Sequence, residues 1–189
     1  MFNNFFKFIC SHDIFIFIET HIIERYEKRF EQFFVDFDLY WNFAVRQQTR
    51  GRASGGILIG IKRSLSDFGI KYRKMCSYNF NYLHIFSQTD FVNIVPVYLR
   101  TDNWTNKFNT FQEFWRNSNL QNVILKGDMN VRIGEEQQEL NDIYLVETLM
   151  DLRKSKDKKV DQKGKKFIEF CNNENLCILN GKSVNDSDG

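Results

Sequence analysis

The segment Ile14-Phe15-Ile16-Phe17-Ile18-Glu19-Thr20-His21 decides the interpretation of the fold. Its first five residues alternate isoleucine with phenylalanine, so an extended strand here is apolar on both faces. That pattern is expected of a strand covered on two sides. Glu19 ends the apolar run with a carboxylate, which is either a solvated strand terminus or a placed ligand. The segment therefore predicts a buried strand over residues 14–18 with a charged group at its end.

The composition is that of a single globular domain over residues 1–189. Of the 189 residues, 42% are hydrophobic and 26% are charged, a balance too apolar for a disordered chain. Twenty-six Lys and Arg residues against 24 Asp and Glu leave a net charge of +2, so any nucleic-acid surface has to be local. Ten glycines and one proline exclude collagen-like and proline-rich architectures.

The cysteines and the N-terminal residues indicate an intracellular protein. Four cysteines lie far apart without a C-x-x-C pair, which argues against a zinc knuckle, a redox motif or a disulfide scaffold. Residues 1–23 are apolar, but Ser11-His12-Asp13 interrupt them, so we expect no signal peptide. No apolar run approaches the roughly 20 residues of a membrane-spanning helix. A nuclear or cytoplasmic protein without a membrane anchor is therefore expected.

The remaining chain alternates strand and helix signals. Period-two or continuous apolar runs predict strands at Asp38–Val45, Ile57–Lys62, Asn81–Ser87, Phe91–Leu99, Val123–Leu125 and Cys177–Asn180. Helical periodicity predicts amphipathic helices at Trp104–Asn117 and Lys165–Asn175, and a short helix or ordered loop at Ile22–Phe34. Pro96 inside one predicted strand suggests an edge position or a bulge there. Such alternation is typical of a layered α/β domain whose helices cover sheets.

The sharpest local motif is Gly127-Asp128-Met129-Asn130, which follows a buried apolar run. With a side-chain period of two, Asp128 and Asn130 leave a strand end on the same face, where a carboxylate and an amide can converge. Such a pair suits a phosphate and its metal, because Asp is a hard oxygen ligand and a neutral Asn adds no negative charge. The alternative is an ordinary Asp-x-Asn turn that ends a strand.

Several short segments, in this order, resemble the endonuclease/exonuclease/phosphatase superfamily. They are Ile14–His21, Gly51-Arg52-Ala53-Ser54-Gly55-Gly56-Ile57, Pro96-Val97-Tyr98-Leu99 ahead of the Trp104 helix, and Gly127–Gly134. A further stretch, Arg153-Lys154-Ser155-Lys156-Asp157 through Ile178-Leu179-Asn180-Gly181, is similar to the apurinic-type endonuclease domains encoded by non-LTR retrotransposons. Each motif is weak singly, but independent matches in the same order reinforce one another.

This resemblance implies a four-layer α/β sandwich in which two mixed sheets are flanked by helices. It also implies hydrolysis of DNA phosphodiesters with Mg²⁺ or Mn²⁺. By position in the motifs, Glu19 matches the metal-binding glutamate and Tyr98 the tyrosine facing the scissile phosphate. Asp128 matches the aspartate that positions or deprotonates the attacking water, and Asn130 matches its companion amide. The implied partners are DNA and a reverse transcriptase domain in a longer parent chain.

Two departures from the family pattern stand out. The strand that carries a metal-site asparagine in the family has no counterpart, because residues 1–12 look like the helix that follows it. The C-terminal Asp-His segment also has no counterpart. We therefore expect a domain whose first and last strands are missing, nearly or wholly inactive by itself, with uncovered sheet edges.

Local clusters of cations are candidate nucleic-acid contacts. The candidates are Arg50 and Arg52 before the Gly55-Gly56 turn, and Lys126 beside the Asp128 motif. The basic stretch Arg153–Lys166 could follow a DNA backbone or could be a solvated connection. Two functional alternatives stay open. One is another phosphoesterase of the same superfamily, and the other is a non-catalytic remnant that binds DNA or a protein.

Overall fold

The computed structural model describes residues 2–46, 51–77, 80–136 and 153–182. They belong to two compact units, Met1–Asn130 and Val131–Gly189. The described strands are β1 (Ile14–Ile18), β2 (Phe37–Asn42), β3 (Ile57–Lys62), β4 (Lys71–Ser77), β5 (Phe80–Phe86), β6 (Phe91–Tyr98) and β7 (Val123–Asp128). The described α-helices are α1 (Phe2–Cys10), α2 (Glu27–Glu31), α3 (Trp104–Ser118) and α4 (Gln162–Asn173).

The first unit contains two sheets. One has three antiparallel strands in the order β1-β3-β2, and the other has four strands in the order β4-β5-β6-β7. In the second sheet β6 and β7 are parallel while the other neighbours are antiparallel, so this sheet is mixed. A parallel pair needs a crossover connection, and α3 lies in the crossover from β6 to β7.

The two sheets pack face to face through a shared apolar interface. Ile59 and Ile61 of β3 are buried in the same cluster as Leu83 of β5. The isoleucines Ile14 and Ile16 of β1 pack against this cluster from the edge. The inner face of the predicted strand at residues 14–18 is therefore covered by the opposite sheet, as its two-sided apolar pattern predicted.

Helical segments cover the outer face of the three-stranded sheet. Phe15 of β1 lies on that face, with its ring centroid 4.8 Å from that of Phe34 and 5.2 Å from that of Phe37. Ile9 of α1 belongs to the same buried cluster, and Phe30 of α2 packs against it. Aromatic rings thus fill the space between the N-terminal helices and the sheet, in the offset and tilted arrangements that such pairs prefer.

Helix α3 covers the outer face of the four-stranded sheet. Phe111 and Phe114 are fully buried, and the Phe114 ring lies 5.1 Å from Phe80 and 6.1 Å from Tyr82 of β5. The predicted apolar face of this helix is confirmed, with Trp104 and Phe108 buried on it as well. Helices, sheet, sheet and helix make four layers, so the predicted four-layer α/β sandwich is confirmed for the first unit. Two mixed sheets were expected, but the described strands of the three-stranded sheet are all antiparallel.

Several predicted details differ from the structure. Strand β4 was not predicted, because its sequence KYRKMCS offers little apolar alternation and is largely exposed. β7 was expected to be buried, yet it is the last strand of its sheet among the described residues and leaves Ile124 46% exposed. Residues 176–180 contain no strand. A hydrophobic run alone does not reveal whether a neighbouring strand covers it.

Pro96 was expected at an edge or a bulge, but it lies in β6, between β5 and β7. On the β5 side, however, the described strand is locally unpaired at Pro96. The last pair between β5 and β6 joins Leu83 to Ile94, so the described pairing of these two strands ends before Pro96. The backbone amides of Asn93 and Leu99 both donate toward the β7 side, to Asn122 and Asp128. Alternation therefore directs the amide-less nitrogen of Pro96 toward β5, where no ladder hydrogen bond is lost.

The second unit contains α4 and the segments on either side of it. Asp161 caps the helix by accepting a hydrogen bond from the Gly164 amide at 2.6 Å. Arg132 and Asp157 form a double hydrogen bond, and an isolated bridge joins Ile133 to Val160. Helix α4 confirms the helix predicted at Lys165–Asn175, although it begins and ends slightly earlier. Within the described ranges, no helix combines the length and apolar character needed to cross a bilayer.

Replacing Phe111 by Ala should destabilise the protein by about 3–5 kcal/mol, because a fully buried ring is lost between α3 and its sheet. Chemical denaturation followed by circular dichroism measures this change. Glu113→Ala on the exposed side of the same helix is the control, with an expected change of about 0.5 kcal/mol or less. Equal losses for the two variants would contradict the assigned packing of α3.

Candidate functional site

The site begins with Glu19, immediately after the last residue of β1. Its backbone φ is 53°, in the left-handed region that costs free energy for a residue with a Cβ. His21 has a similar φ of 55°. The chain therefore turns away from the strand direction at Glu19, which places the carboxylate at the exposed end of the sandwich.

Hydrogen bonds to the segment before β3 hold this turn. The Thr20 amide donates to the Gly56 carbonyl at 3.2 Å, and the His21 amide donates to the Gly55 carbonyl at 2.9 Å. The His21 Nδ1 lies 2.7 Å from the Ala53 carbonyl oxygen, as expected for a protonated Nδ1. Gly56 has φ 96°, and a Cβ there would lie 2.4 Å from the Thr20 Oγ1. The two glycine-containing motifs of the sequence thus form one fixed support for Glu19.

Tyr98 joins Glu19 to the other sheet. Its hydroxyl, at the end of β6, donates a short hydrogen bond to the Glu19 Oε1. Partial burial raises the pKa of Tyr98 to about 12, together with this hydrogen bond and the negative charges of Glu19 and Asp128, against a smaller opposing effect of Arg100. The hydroxyl is therefore protonated at neutral pH and acts as a hydrogen-bond donor.

Asp128 lies at the end of β7, directly beside Tyr98. The two residues are register partners in the parallel β6–β7 pair, and the Leu99 amide donates to the Asp128 carbonyl at 3.0 Å. Side chains paired in this way stand on the same face of the sheet. Gly127 allows the close approach, because a Cβ there would lie 1.9 Å from the Val97 carbonyl oxygen. The structure therefore brings Glu19, Tyr98 and Asp128 together.

Asn130 is part of a turn and does not continue the strand. β7 ends at Asp128, and Asn130 has a φ of 49°, so the period-two alternation expected for these two residues stops at Asp128. The Asn130 backbone amide donates to the Asp128 Oδ1 at 2.7 Å, which orients the carboxylate. The Trp104 Nε1 donates to the Met129 carbonyl at 2.7 Å and holds the middle of the turn. A role for the Asn130 side chain stays a prediction.

The three cations predicted to contact nucleic acid, Arg50, Arg52 and Lys126, lie in different parts of the chain. Arg50 lies outside the described residues. Arg52 is exposed and directly precedes Ala53, whose carbonyl contacts His21. Lys126 is exposed on β7, two residues before Asp128 and therefore on the same face. Arg52 and Lys126 are thus close in sequence to residues that form or support the site. Their contact with nucleic acid stays a prediction.

Glu19 and Asp128 are the two side chains at this site that could hold a divalent metal. Among the described residues, no group of three or more His, Cys, Asp or Glu side chains forms a ligand cluster. Mg²⁺ does not require one, because it keeps several water ligands and commonly binds through one or two carboxylates plus a substrate phosphate. Two exposed carboxylates beside the same tyrosine hydroxyl fit that mode of binding.

Sequence reasoning missed two residues of this region. Trp104 was named only as the first residue of its predicted helix, and nothing in the sequence pairs its indole with Met129. Arg100 was not selected, although it follows Tyr98 by two residues and alternation would have placed both on one face. Its Nε donates to the Asp102 Oδ1 at 3.0 Å, and the hydrogen bond to Asp102 raises the pKa of Arg100.

No family model and no curated protein matches this sequence. Among solved structures, humanized D. rerio TDP2 carrying 14 mutations is 14% identical, with a TM-score of 0.44, over 69% of this chain and 58% of that one. D. rerio TDP2 complexed with single strand DNA product is 13% identical, with a TM-score of 0.40, over 67% of this chain and 54% of that one. This chain therefore spans a little over half their length. The fold assignment rests on the strands, helices and contacts described above.

Replacing Gly127 by Ala should destabilise the protein by about 1–3 kcal/mol, because the new methyl group collides with the Val97 carbonyl and separates β7 from β6. Denaturant unfolding measures the change. Lys126→Ala, an exposed position in the same strand, should change stability by about 0.5 kcal/mol or less. Equal stability of the two variants would contradict the close β6–β7 approach at this residue.

Tyr98 should remain protonated well above the usual tyrosine pKa of 10.0 and ionise near about 12. The difference in tyrosinate absorbance between the native chain and Tyr98→Phe isolates this titration. Glu19→Gln should move it toward 10.0, because one negative charge is removed. The pKa of Tyr98 is higher in the folded than in the unfolded protein, so the protonated hydroxyl adds to the free energy of unfolding. This contribution is fully present below pH 10.0 and is lost as the pH rises toward about 12. A native Tyr98 titration near 10.0 would contradict the Glu19 contact.

Proposed function

We propose that this chain is a divalent-metal-dependent phosphodiesterase that acts on DNA. The observation that supports the proposal is the meeting of Glu19, Tyr98 and Asp128, which come from three separate strands and two sheets. Paired carboxylates beside a neutral hydroxyl donor are the groups that metal-assisted phosphodiester hydrolysis uses. Both carboxylates are exposed, and this suits a large polyanionic substrate.

Each residue has a distinct proposed role. Tyr98, protonated at neutral pH, donates a hydrogen bond to a non-bridging oxygen of the scissile phosphate in place of its contact with Glu19. Asp128, oriented by the Asn130 amide, accepts a hydrogen bond from the attacking water and takes its proton. Trp104 holds the turn that carries Asn130, so it acts as a positioning residue.

Glu19 is the proposed metal ligand, and Asp128 keeps its separate role as the base. A divalent cation, when bound, neutralises the negative charge that develops on the phosphate and the leaving oxygen. The left-handed backbone at Glu19 is consistent with this role, because strained conformations of non-glycine residues concentrate at functional sites. Mg²⁺ is the favoured ion, because the Glu19 carboxylate is a hard oxygen donor and Mg²⁺ commonly binds through one or two carboxylates, water and a substrate phosphate.

Within this class, the chain is proposed to be a nicking endonuclease of the type encoded by non-LTR retrotransposons. The motif likeness of Arg153–Asp157 and Ile178–Gly181 supports this finer assignment. A reverse transcriptase domain in a longer parent chain remains part of the same proposal. These motifs lie in the second unit, and the site proposed for the chemistry lies in the first unit, at Glu19 and Asp128.

Plasmid nicking tests the proposed activity. Supercoiled plasmid incubated with a large excess of protein and Mg²⁺ should be converted to the open-circular form only slowly, because the sequence contains no counterpart of the family's Asp-His segment. Chelation of the metal should stop the conversion. Glu19→Gln and Asp128→Asn should each lower the single-turnover rate by at least about 100-fold, because each removes a charge that acts in the transition state. Rates are measured by gel electrophoresis of the two plasmid forms.

Glu31→Gln provides the matched control, since Glu31 is an exposed carboxylate on α2 in a different layer. Its nicking rate should equal that of the native chain. Equal nicking by the native chain and Glu19→Gln would reject the metal assignment. Turnover of a soluble inositol phosphate without nicking would identify another type of phosphoesterase. DNA binding without turnover would identify a non-catalytic binding protein.

A further inference from the structure

A cleft of about 670 Å³ opens between the two sheets, at the end of the sandwich that carries Tyr98. Its walls include the ends of β2 and β6, the beginnings of β3 and β5, and the first turns of α3. The volume lies in the range of about 300–1,000 Å³ that is typical of ligand sites. Tyr98 lines the cleft, whereas Glu19 and Asp128 do not. Tyr98 therefore belongs both to the cleft and to the contact with Glu19.

Among the described residues, three cations line the cleft together with one acidic side chain, Asp102, which forms an ion pair with Arg100. Lys74 of β4 reaches toward the three-stranded sheet, where its Nζ donates to the Trp41 carbonyl at 3.1 Å. That contact uses one of three ammonium donors and leaves the other two for a ligand. Lys107 is exposed in the first turns of α3. The local charge is therefore positive in a chain whose net charge is only +2.

The walls between these cations combine aromatic rings with amide groups. Tyr40, Phe43 and Tyr98 contribute rings, while Asn42, Asn81 and Asn103 contribute amides. A free phosphate ion would leave most of this volume unfilled, and an acidic peptide would not need flat apolar surfaces. A nucleotide chain offers both phosphates for the cations and planar bases for the rings. The chemistry of the walls is therefore that of a polynucleotide site.

The aromatic walls distinguish a single strand from a duplex. In a duplex the bases are paired and stacked on one another, so their faces are not available to the rings of the cleft. The unpaired bases of a single strand can stack on aromatic side chains. The end of such a strand at Tyr98 would place the next phosphate beside Glu19 and Asp128.

We propose that the cleft lined by Lys74, Arg100 and Lys107 binds a single-stranded nucleic acid segment adjacent to the phosphate that is cleaved at Tyr98. This inference rests on the proposed function and assigns to that site its immediate substrate, a strand that is unpaired on one side of the scissile bond. Lys107 supplies the most accessible charge. Lys74 is held by its hydrogen bond to the Trp41 carbonyl, so its charge is fixed in position. The charge of Arg100 is balanced by Asp102, so Arg100 contributes as a hydrogen-bond donor.

Binding of a short fluorescein-labelled oligothymidylate, followed by fluorescence anisotropy with a chelator present, tests the proposal without turnover. Lys107→Glu in the full chain should weaken binding at least about 10-fold. It should also reduce the slope of log K against log salt by about 0.7 for each lost phosphate contact. Lys74→Gln should weaken binding as well. A hairpin duplex of the same length should bind more weakly than the single strand and respond less to Lys107→Glu.

Lys28→Glu is the matched control, because Lys28 is an exposed lysine on α2, on the outer side of the three-stranded sheet. It makes the same change in net charge and should leave binding unchanged. Equal losses for Lys28→Glu and Lys107→Glu, or equal responses of duplex and single strand, would overturn the cleft assignment. Displacement of the oligothymidylate by inorganic phosphate at equal phosphate concentration would also overturn it, since the site would then bind an isolated anion.

The two proposals fail in different ways in these experiments. Oligothymidylate binding that depends on Lys107, with no metal-dependent nicking, would reject the proposed catalytic activity and retain the cleft. Nicking that depends on Glu19, with binding and nicking unchanged in Lys107→Glu, would reject the cleft and retain the activity. Circular dichroism melting of each variant establishes that it is folded, and Lys107 is suited to this test because its side chain is exposed.

Discussion

The hydrogen bond from the Tyr98 hydroxyl to Glu19 depends on the packing of two sheets. Its partners are 79 residues apart and belong to strands that share no ladder. They meet because Ile59, Ile61 and Leu83 hold the inner faces together a few residues away. The apolar interface thus supplies the free energy, while the polar groups lie at its margin, where water and a ligand can reach them.

A second constraint is the parallel pairing of β6 and β7. Such a pair needs a crossover, and α3 provides it while also covering the outer face of the sheet with Phe111 and Phe114. Trp104, at the start of the same helix, holds the turn after Asp128. Helix α3 therefore both stabilises the sheet and positions the turn after Asp128, so a change in its packing is also expected to change the geometry of the site.

Charges of both signs lie near Tyr98. The carboxylates of Glu19 and Asp128 act on its hydroxyl, and the cleft that it lines contains Lys74 and Lys107. The nearly balanced composition of the chain conceals these local charges, because net charge is an average over the whole surface. The same tyrosine forms part of both environments, and its raised pKa reflects its partial burial and the nearby carboxylates.

Local patterns predicted much of the architecture but not its edges. The two-sided apolar run of β1 and the aromatic face of α3 were predicted correctly, because burial on a face imposes a period on the sequence. β4 was missed, since a largely exposed strand with three cations carries no such period. The exposure of β7 and the unpaired side of Pro96 depend on which strands are their neighbours in the sheet. The sequence of a single segment does not encode its neighbours.

The sequence by itself determined the layered α/β class and the residue types at the strand ends, because side-chain alternation and turn-forming residues are local properties. Only the tertiary structure decided that Glu19, Tyr98 and Asp128 meet, that Asn130 contributes a backbone amide to a turn, and that Lys74 and Arg100 line one cleft. The physical reason is that these contacts join residues distant in sequence, whose approach is set by sheet pairing and by the apolar interface between the sheets.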